Sequence, residues 1–196
     1  MGKSRLEAFS DGVIAIIITI MVLELKAPHE ASLGALAPLA SAFLAYALSF
    51  AHIAIYWNSH HHLFQATRRV SGAILWANTH LLFWLSLVPF STAWLSETHF
   101  ARAPVAVYGL SLLAPSIAYY FLSRALIRAG ALAPKVAEAI GADVKGWVSM
   151  AFYVCGVALA FAYPYASMGL YAIVAVIWFI PDRRIEGRLE AEGEPD

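Results

Sequence analysis

Near the start of the chain, polar side chains stand within a long apolar segment, residues 5–25. Arg5, Ser10 and Asp11 precede an apolar run that begins at Gly12. An ionisable group this deep in an apolar span indicates a function, because burying it without partners is costly. Two interpretations stay open. Either Ser10 or Asp11 caps a helix that begins at Gly12, or the helix extends back to Arg5 and buries Asp11 against polar groups of other helices.

The apolar part of this segment has one distinct face. At about 100° per residue, Ile16, Ile20 and Leu23 lie within roughly 60° of one another, and Thr19 lies at their edge. We call Ile16, Ile20 and Leu23 the ladder. The serine and aspartate at the segment's start point away from it, so we expect their partners on neighbouring helices. A ladder of this kind is also typical of ordinary packing inside a helix bundle.

Histidines are the other residues that could bind a ligand, and five of them lie in or near the next two apolar runs: His52, His60, His61, His62 and His80. Consecutive histidines point in different directions on a helix, and no two of the five are four residues apart, so we predict no metal site. Hydrogen bonding fits better. Trp57, His60 and Asn78 have the right side chains to meet the polar groups of the first segment across helices.

The composition shows which kind of fold must position these groups. The chain has 196 residues, 61% of them hydrophobic and only 13% charged, whereas soluble domains carry about 25% charged residues. Repeated apolar runs of about 20 residues predict a polytopic membrane protein. The formal net charge is +0, which argues against a nucleic-acid partner. Cys155 is the only cysteine, so the chain forms no internal disulfide.

We predict an all-α fold with six transmembrane helices, placed at the apolar runs: residues 4–25, 33–67, 72–95, 104–127, 146–162 and 167–180. The second run exceeds one straight span, so we expect its polar end to project into water or to pack in protein. Pro115 is expected to kink the fourth span. Residues 128–145 should form a partly helical linker, and residues 163–165 a tight turn. Residues 1–181 then form one transmembrane domain, followed by a polar tail, residues 182–196.

The basic residues indicate the orientation of these spans. With the N-terminus inside, 11 of the 13 lysines and arginines lie on the cytoplasmic side, and only Lys26 and Arg102 lie outside. We therefore predict a multi-pass protein of the cell (inner) membrane with both termini, and the tail, in the cytoplasm. The first apolar run lacks a signal-peptide pattern and is predicted to be a retained helix.

The sequence carries none of the common catalytic patterns. The sequence contains no nucleophile elbow, no paired intramembrane carboxylates and no phosphate-binding glycine loop. Asp11 is the one plausible acid in a span's polar region, and a single carboxylate makes no acid/base pair. We therefore predict that the protein is not an enzyme and needs no cofactor.

The first segment carries a recognisable motif. Arg5, Phe9, Ser10, Asp11 and Gly12, followed by an apolar helix rich in isoleucine and threonine, resemble the signature opening of the transmembrane protein 175 family of potassium channels. Looser matches follow, from Trp57 to Gln65 in the second span and from Asn78 to Phe90 in the third. The resemblance covers most of the chain.

The resemblance implies a homotetramer of six-helix subunits whose first helix lines a central pore. By it, Ile16 forms the constriction, Ile20 and Leu23 form further apolar rings, and Thr19 is the neighbouring hydroxyl. The permeant ion, potassium, would pass near Ile16 and Thr19, without a TVGYG filter. The partners are then identical subunits, the lipid bilayer and monovalent cations. A polar network at the cytoplasmic end would fix the first helix, and we call its predicted members the polar lock: Arg5, Phe9, Ser10, Asp11, Trp57, His60 and Asn78.

Two other classes of protein stay open from the residues alone. A secondary transporter would show inverted repeats and broken helices around a midplane polar site, for which only Pro89 and Pro115 offer possible breaks. A non-conducting structural membrane subunit would instead face its ladder toward lipid or a different partner.

Overall fold

The computed structural model describes residues 2–141 and 143–179. Within these ranges every regular element is helical, which confirms the all-α prediction. The elements are α1 (Lys3–Leu23), a 3-10 helix (Leu33–Leu39), α2 (Ala40–Gln65), α3 (Gly72–Leu85), α4 (Val88–Glu97), α5 (Arg102–Arg128), α6 (Pro134–Gly141), α7 (Val144–Leu159) and α8 (Pro164–Phe179). The predicted tail, residues 182–196, lies outside the described residues.

The first residue of α1 distinguishes the two interpretations of its polar N-terminal part. It begins at Lys3, with Gly2 as the N-cap residue, so the proposal that Ser10 or Asp11 caps the helix is wrong. The Ser10 hydroxyl donates to the carbonyl of Leu6 on its own helix at 2.9 Å. This bond satisfies the hydroxyl within its own helix, so Ser10 can occupy a mid-helix position.

The second and third predicted spans are each divided in the structure. Residues 33–39 form a 3-10 helix containing Pro38, and the α-helix begins only at Ala40. The third span breaks at Ser86 and Leu87 into α3 and α4. The cause of that break is Pro89, which lacks an amide hydrogen for the carbonyl four residues before it and whose ring would clash with that carbonyl.

The remaining helices follow the predictions more closely. Helix α5 continues through Pro115, and α6 is the helical part of the predicted linker. By length and composition, four helical segments among the described residues could cross a membrane: residues 3–23, 33–65, 72–97 and 102–128. Helices α7 and α8, of 16 residues each, are shorter but apolar and are compatible with the fifth and sixth predicted spans.

Packing places α1 on one side of the bundle. It contacts α2, α3 and α4, whereas α5 contacts most of the other helices. The buried side chains form two apolar cores. One of them lies where α5, α7 and α8 meet, around the side chain of Tyr171. This ring lies against Gly109 of α5 and Gly156 of α7, where a Cβ atom would collide with it. The two glycines therefore allow the three helices to approach closely.

Candidate functional site on the first helix

Helix α1 has a buried face and an exposed face. Its buried side chains recur at helical spacing and belong to Leu6, Ser10, Ile14, Ile17 and Met21. The apolar ones pack into the core between α2, α3 and α5. One face of α1 thus packs against helices of its own subunit, and the other face is exposed.

The ladder lies on the exposed face. Ile16 is 60% exposed, Ile20 43% and Leu23 73%. Isoleucine and leucine side chains this exposed carry a large apolar area without a partner in their own chain. Thr19 is also exposed, and its hydroxyl donates to the carbonyl of Ala15 at 2.8 Å. The hydroxyl proton is therefore bonded to the backbone, and the oxygen can still accept a hydrogen bond.

Three of the predicted lock residues form a buried relay across helices. His60 of α2 donates from Nε2 to Oδ1 of Asn78 at 2.7 Å, because a carbonyl oxygen can only accept. Asn78 of α3 then donates from Nδ2 to Oγ of Ser10 at 2.9 Å. His60, Asn78 and Ser10 are all almost fully buried. The two hydrogen bonds of this relay connect α2 to α3 and α3 to α1.

Asp11 and Trp57 make a second link between α1 and α2. The indole Nε1 of Trp57 donates to Oδ1 of Asp11 at 3.0 Å, at an exposed edge of the bundle. His61, one turn after Trp57, stacks on its ring with centroids 5.9 Å apart. Asp11 is therefore exposed rather than buried, and its partner is an indole.

The structure does not bring Arg5 and Phe9 into this network. Both are exposed, Phe9 by 52%. Neither makes a side-chain hydrogen bond or an ion pair with any residue in the described part of the chain. Lys3 ties the start of α1 to α2 instead, because its Nζ donates to the carbonyl of Gln65 at 3.0 Å.

The structure also contains side-chain contacts that the sequence patterns did not predict. The stacking of His61 on Trp57 could have been found from their i, i+4 spacing. Farther from α1, the Ser49 hydroxyl bonds the Thr92 hydroxyl at 2.7 Å and the Tyr108 hydroxyl at 3.0 Å. These three residues lie on α2, α4 and α5, far apart in sequence, so no local pattern indicates their contact. In residues 2–141 and 143–179, no three metal-ligating side chains cluster in a way that could hold an ion.

Comparison with known proteins gives consistent matches. The family described as the endosomal/lysosomal potassium channel TMEM175 matches residues 5–89. A potassium channel from Chryseobacterium sp. (strain P1-3) is 55% identical over 190 residues, covering 97% of this chain and 99% of that protein. The human endosomal/lysosomal proton channel TMEM175 is 36% identical over 116 residues, which cover 53% of this chain but 23% of the human protein.

A solved structure has the same architecture. The crystal structure of a lysosomal potassium-selective channel TMEM175 homolog from Chamaesiphon minutus superposes with a TM-score of 0.80 at 31% sequence identity. The superposition covers 91% of this chain and 96% of that one.

Proposed function

The chain belongs to the TMEM175 family, and from that premise we propose that it is a potassium-permeable channel whose pore is lined by α1. The observation that carries this proposal is the exposed ladder. The side chains of Ile16, Ile20 and Leu23 are exposed and have no partner within the subunit. The opposite face of α1 is buried against the other helices. In a membrane protein such a stripe faces either lipid or another copy of the chain, and the resemblance of the opening motif to its family favours another copy.

A single ladder cannot enclose an ion, so the proposed pore requires several copies of the chain. We propose a homotetramer in which four α1 helices surround a central axis. The resemblance of the opening motif to its family implies this number, and the exposure of the ladder supports an assembly on that face. Rotational symmetry would then turn each ladder residue into a ring of four identical side chains.

The proposed constriction works by exclusion of water. When four Ile16 side chains meet at the axis, they leave no room for a hydrated ion, and dewetting alone blocks conduction. A small widening admits a partly hydrated ion, and discrimination then follows from pore radius and from the cost of dehydration. Such a filter should favour potassium over sodium only modestly, because it offers no cage of carbonyl oxygens. Thr19 places a hydroxyl oxygen beside this path.

We propose that a set of hydrogen bonds keeps α1 at a fixed depth and rotation in the bundle. Its members are Ser10, Asp11, Trp57, His60 and Asn78. Two contacts at consecutive residues of α1, from Asn78 to Ser10 and from Trp57 to Asp11, restrain both the depth and the rotation of the helix. A rotation of α1 by one residue, about 100°, would move the ladder off the axis. The distribution of lysine and arginine supports termini on the cytoplasmic side of the inner membrane.

One feature favours a secondary transporter as the competing function. The break between α3 and α4 at Ser86 and Leu87 divides a span, and broken helices are typical of transporters. The kinetics of transport distinguish the two. Channel flux continues to rise with potassium concentration and needs no exchange ion, whereas transporter flux saturates.

The test is potassium flux through the purified full chain in liposomes, measured against protein-free liposomes. We expect a passive, electrogenic potassium flux without saturation. The absence of any flux above the protein-free level, or a saturating exchange, would contradict the channel proposal.

A further inference from the structure

A cavity lies between α2, α5, α7 and α8, and no side chain of α1 lines it. Its volume is about 40 Å³. The lining is rich in aromatic rings and contains several polar atoms; it includes His52, Tyr56, Tyr119, Ser149, Tyr153 and Trp178. None of these residues belongs to the ladder or to the polar lock, so the cavity is separate from the candidate site on the first helix.

His52 brings an unpartnered polar atom to this cavity. Its side chain is 2% exposed and lies near the middle of α2. Its Nδ1 donates to the carbonyl of Leu48 at 2.9 Å, since a carbonyl oxygen can only accept. In a neutral ring Nε2 then carries no proton and is an acceptor, and this buried atom bonds no group in residues 2–141 and 143–179. A buried acceptor without a donor is costly, so Nε2 needs a donor.

Tyr153 of α7 lines the same cavity, and its ring centroid lies 6.1 Å from that of His52. Tyr153 is 3% exposed, and its hydroxyl makes no hydrogen bond with any residue that the structure describes. A phenol hydroxyl can both donate and accept. A water molecule between the two rings can therefore donate to Nε2 of His52 and accept from the hydroxyl of Tyr153.

The volume decides which class of molecule the cavity can hold. A buried water requires about 10–15 Å³ of such space and at least two polar partners, so about three waters fit. Small organic ligands and cofactors occupy pockets of about 300–1,000 Å³, which is far more than this cavity offers. The polar atoms of the lining also favour water, because empty cavities in proteins are apolar.

We propose that this cavity is a hydration site, in which a bound water bridges Nε2 of His52 to the hydroxyl of Tyr153 and so connects α2 to α7. Ionisable residues at membrane depth commonly face water-filled cavities. The lining side chains belong to a single subunit, so the site needs no second copy of the chain. The inference is therefore independent of the pore and of the proposed function, and each can fail without the other.

The test is hydroxyl-radical labelling of the purified full chain. Brief X-ray radiolysis of water oxidises the side chains beside it, and mass spectrometry measures the rate at each residue. Tyr171 is the internal control for Tyr153, because it is 0% exposed and packs against Gly109 and Gly156 instead of lining the cavity. We expect Tyr153 to be oxidised at least about threefold faster than Tyr171, since bound water lies against it. Equal rates for the two tyrosines would overturn the proposal.

A pair of histidine variants tests the role of Nε2. His52→Phe removes the acceptor and extends an apolar ring into the cavity, so Tyr153 should then be oxidised as slowly as Tyr171. His61→Phe is the matched control, because His61 is an exposed histidine of the same helix and does not line the cavity. It should keep the wild-type ratio of the two rates. A fast rate retained at Tyr153 in folded His52→Phe would contradict the water bridge. The wild-type comparison needs no substitution, so it tests hydration even where His52→Phe fails to fold.

A high-resolution crystallographic density map gives a direct second readout. We expect a water peak about 2.7–3.2 Å from Nε2 of His52, within reach of the hydroxyl of Tyr153. A lipid chain in the cavity, or no peak within that distance of Nε2, would overturn the proposal.

Discussion

Asn78 donates a hydrogen bond to Ser10 at 2.9 Å and so joins α3 to α1 inside the bundle. Its other side-chain atom accepts from His60 of α2 at 2.7 Å. One buried amide thus satisfies groups on two other helices, and no apolar side chain of similar size could do so. Within an apolar interior, where water cannot replace a lost partner, such a residue specifies the relative positions of three helices.

Replacing Asn78 with leucine should destabilise the protein. Ser10 keeps its bond to Leu6, but the buried Nε2 of His60 loses its partner at a cost of about 1–3 kcal/mol. Thermal unfolding in detergent measures the effect. Asn58→Leu is the control, since that asparagine is exposed on α2, and it should melt like the wild type. Equal melting temperatures for both variants would contradict a structural role of the relay.

Asp11→Ala should lower the stability of the assembly by about 1 kcal/mol, because the Trp57 indole loses its acceptor at a site that water can reach. Trp57→Phe removes the same bond from the other side and keeps a ring for His61. If the bond is the relevant interaction, the double variant should lose clearly less than the two single losses combined. Fully additive losses would show that the two residues act separately.

Alanine at Gly109 or Gly156 should destabilise the bundle by about 1–3 kcal/mol, because each added methyl collides with Tyr171. At Gly109 the clash is with the tyrosine hydroxyl, and at Gly156 it is with a ring carbon. Tyr171→Phe should therefore rescue Gly109→Ala partly and leave Gly156→Ala unrescued.

Gly169 provides the control for these glycines, since no described atom beyond its chain neighbours and the nearby backbone of its own helix lies within 4 Å of the position of its Cβ. Thermal melts should show Gly169→Ala at wild-type stability or slightly above it, because alanine favours helix. Equal stability of all three alanine variants would contradict the role assigned to Tyr171.

Sequence reasoning succeeded where residue spacing carries the information. Apolar runs predicted the helices, and helical periodicity placed the ladder on one face because 3.6 residues per turn leaves little freedom. Residue type also anticipated that Asn78 and Trp57 would meet polar groups of α1, since polar side chains in an apolar bundle need partners. His60 instead bonds Asn78 of α3.

Other features depend on three-dimensional contacts that no local pattern encodes. Arg5 and Asp11 were both predicted members of the lock, but Asp11 accepts a hydrogen bond from the Trp57 indole, whereas Arg5 is exposed and pairs with no residue in the described part of the chain. Pro89 was a possible break, but the apolar run continues across it, so the sequence did not show that the third span divides at Ser86 and Leu87. The packing of Tyr171 of α8 against Gly109 joins α8 to α5, which is far from it in sequence.

The central claim is that the ladder face of α1 forms the ion pathway. The most direct test compares the wild type with Ile16→Asn in liposomes under opposed potassium and sodium gradients. Val22→Asn is the matched control, because Val22 is 43% exposed on the same helix but lies about 120° from Ile16. We expect Ile16→Asn to enlarge the flux and weaken the preference for potassium, since a polar ring hydrates the constriction, and Val22→Asn to preserve both. Flux and selectivity unchanged in a well-assembled Ile16→Asn variant would contradict the account.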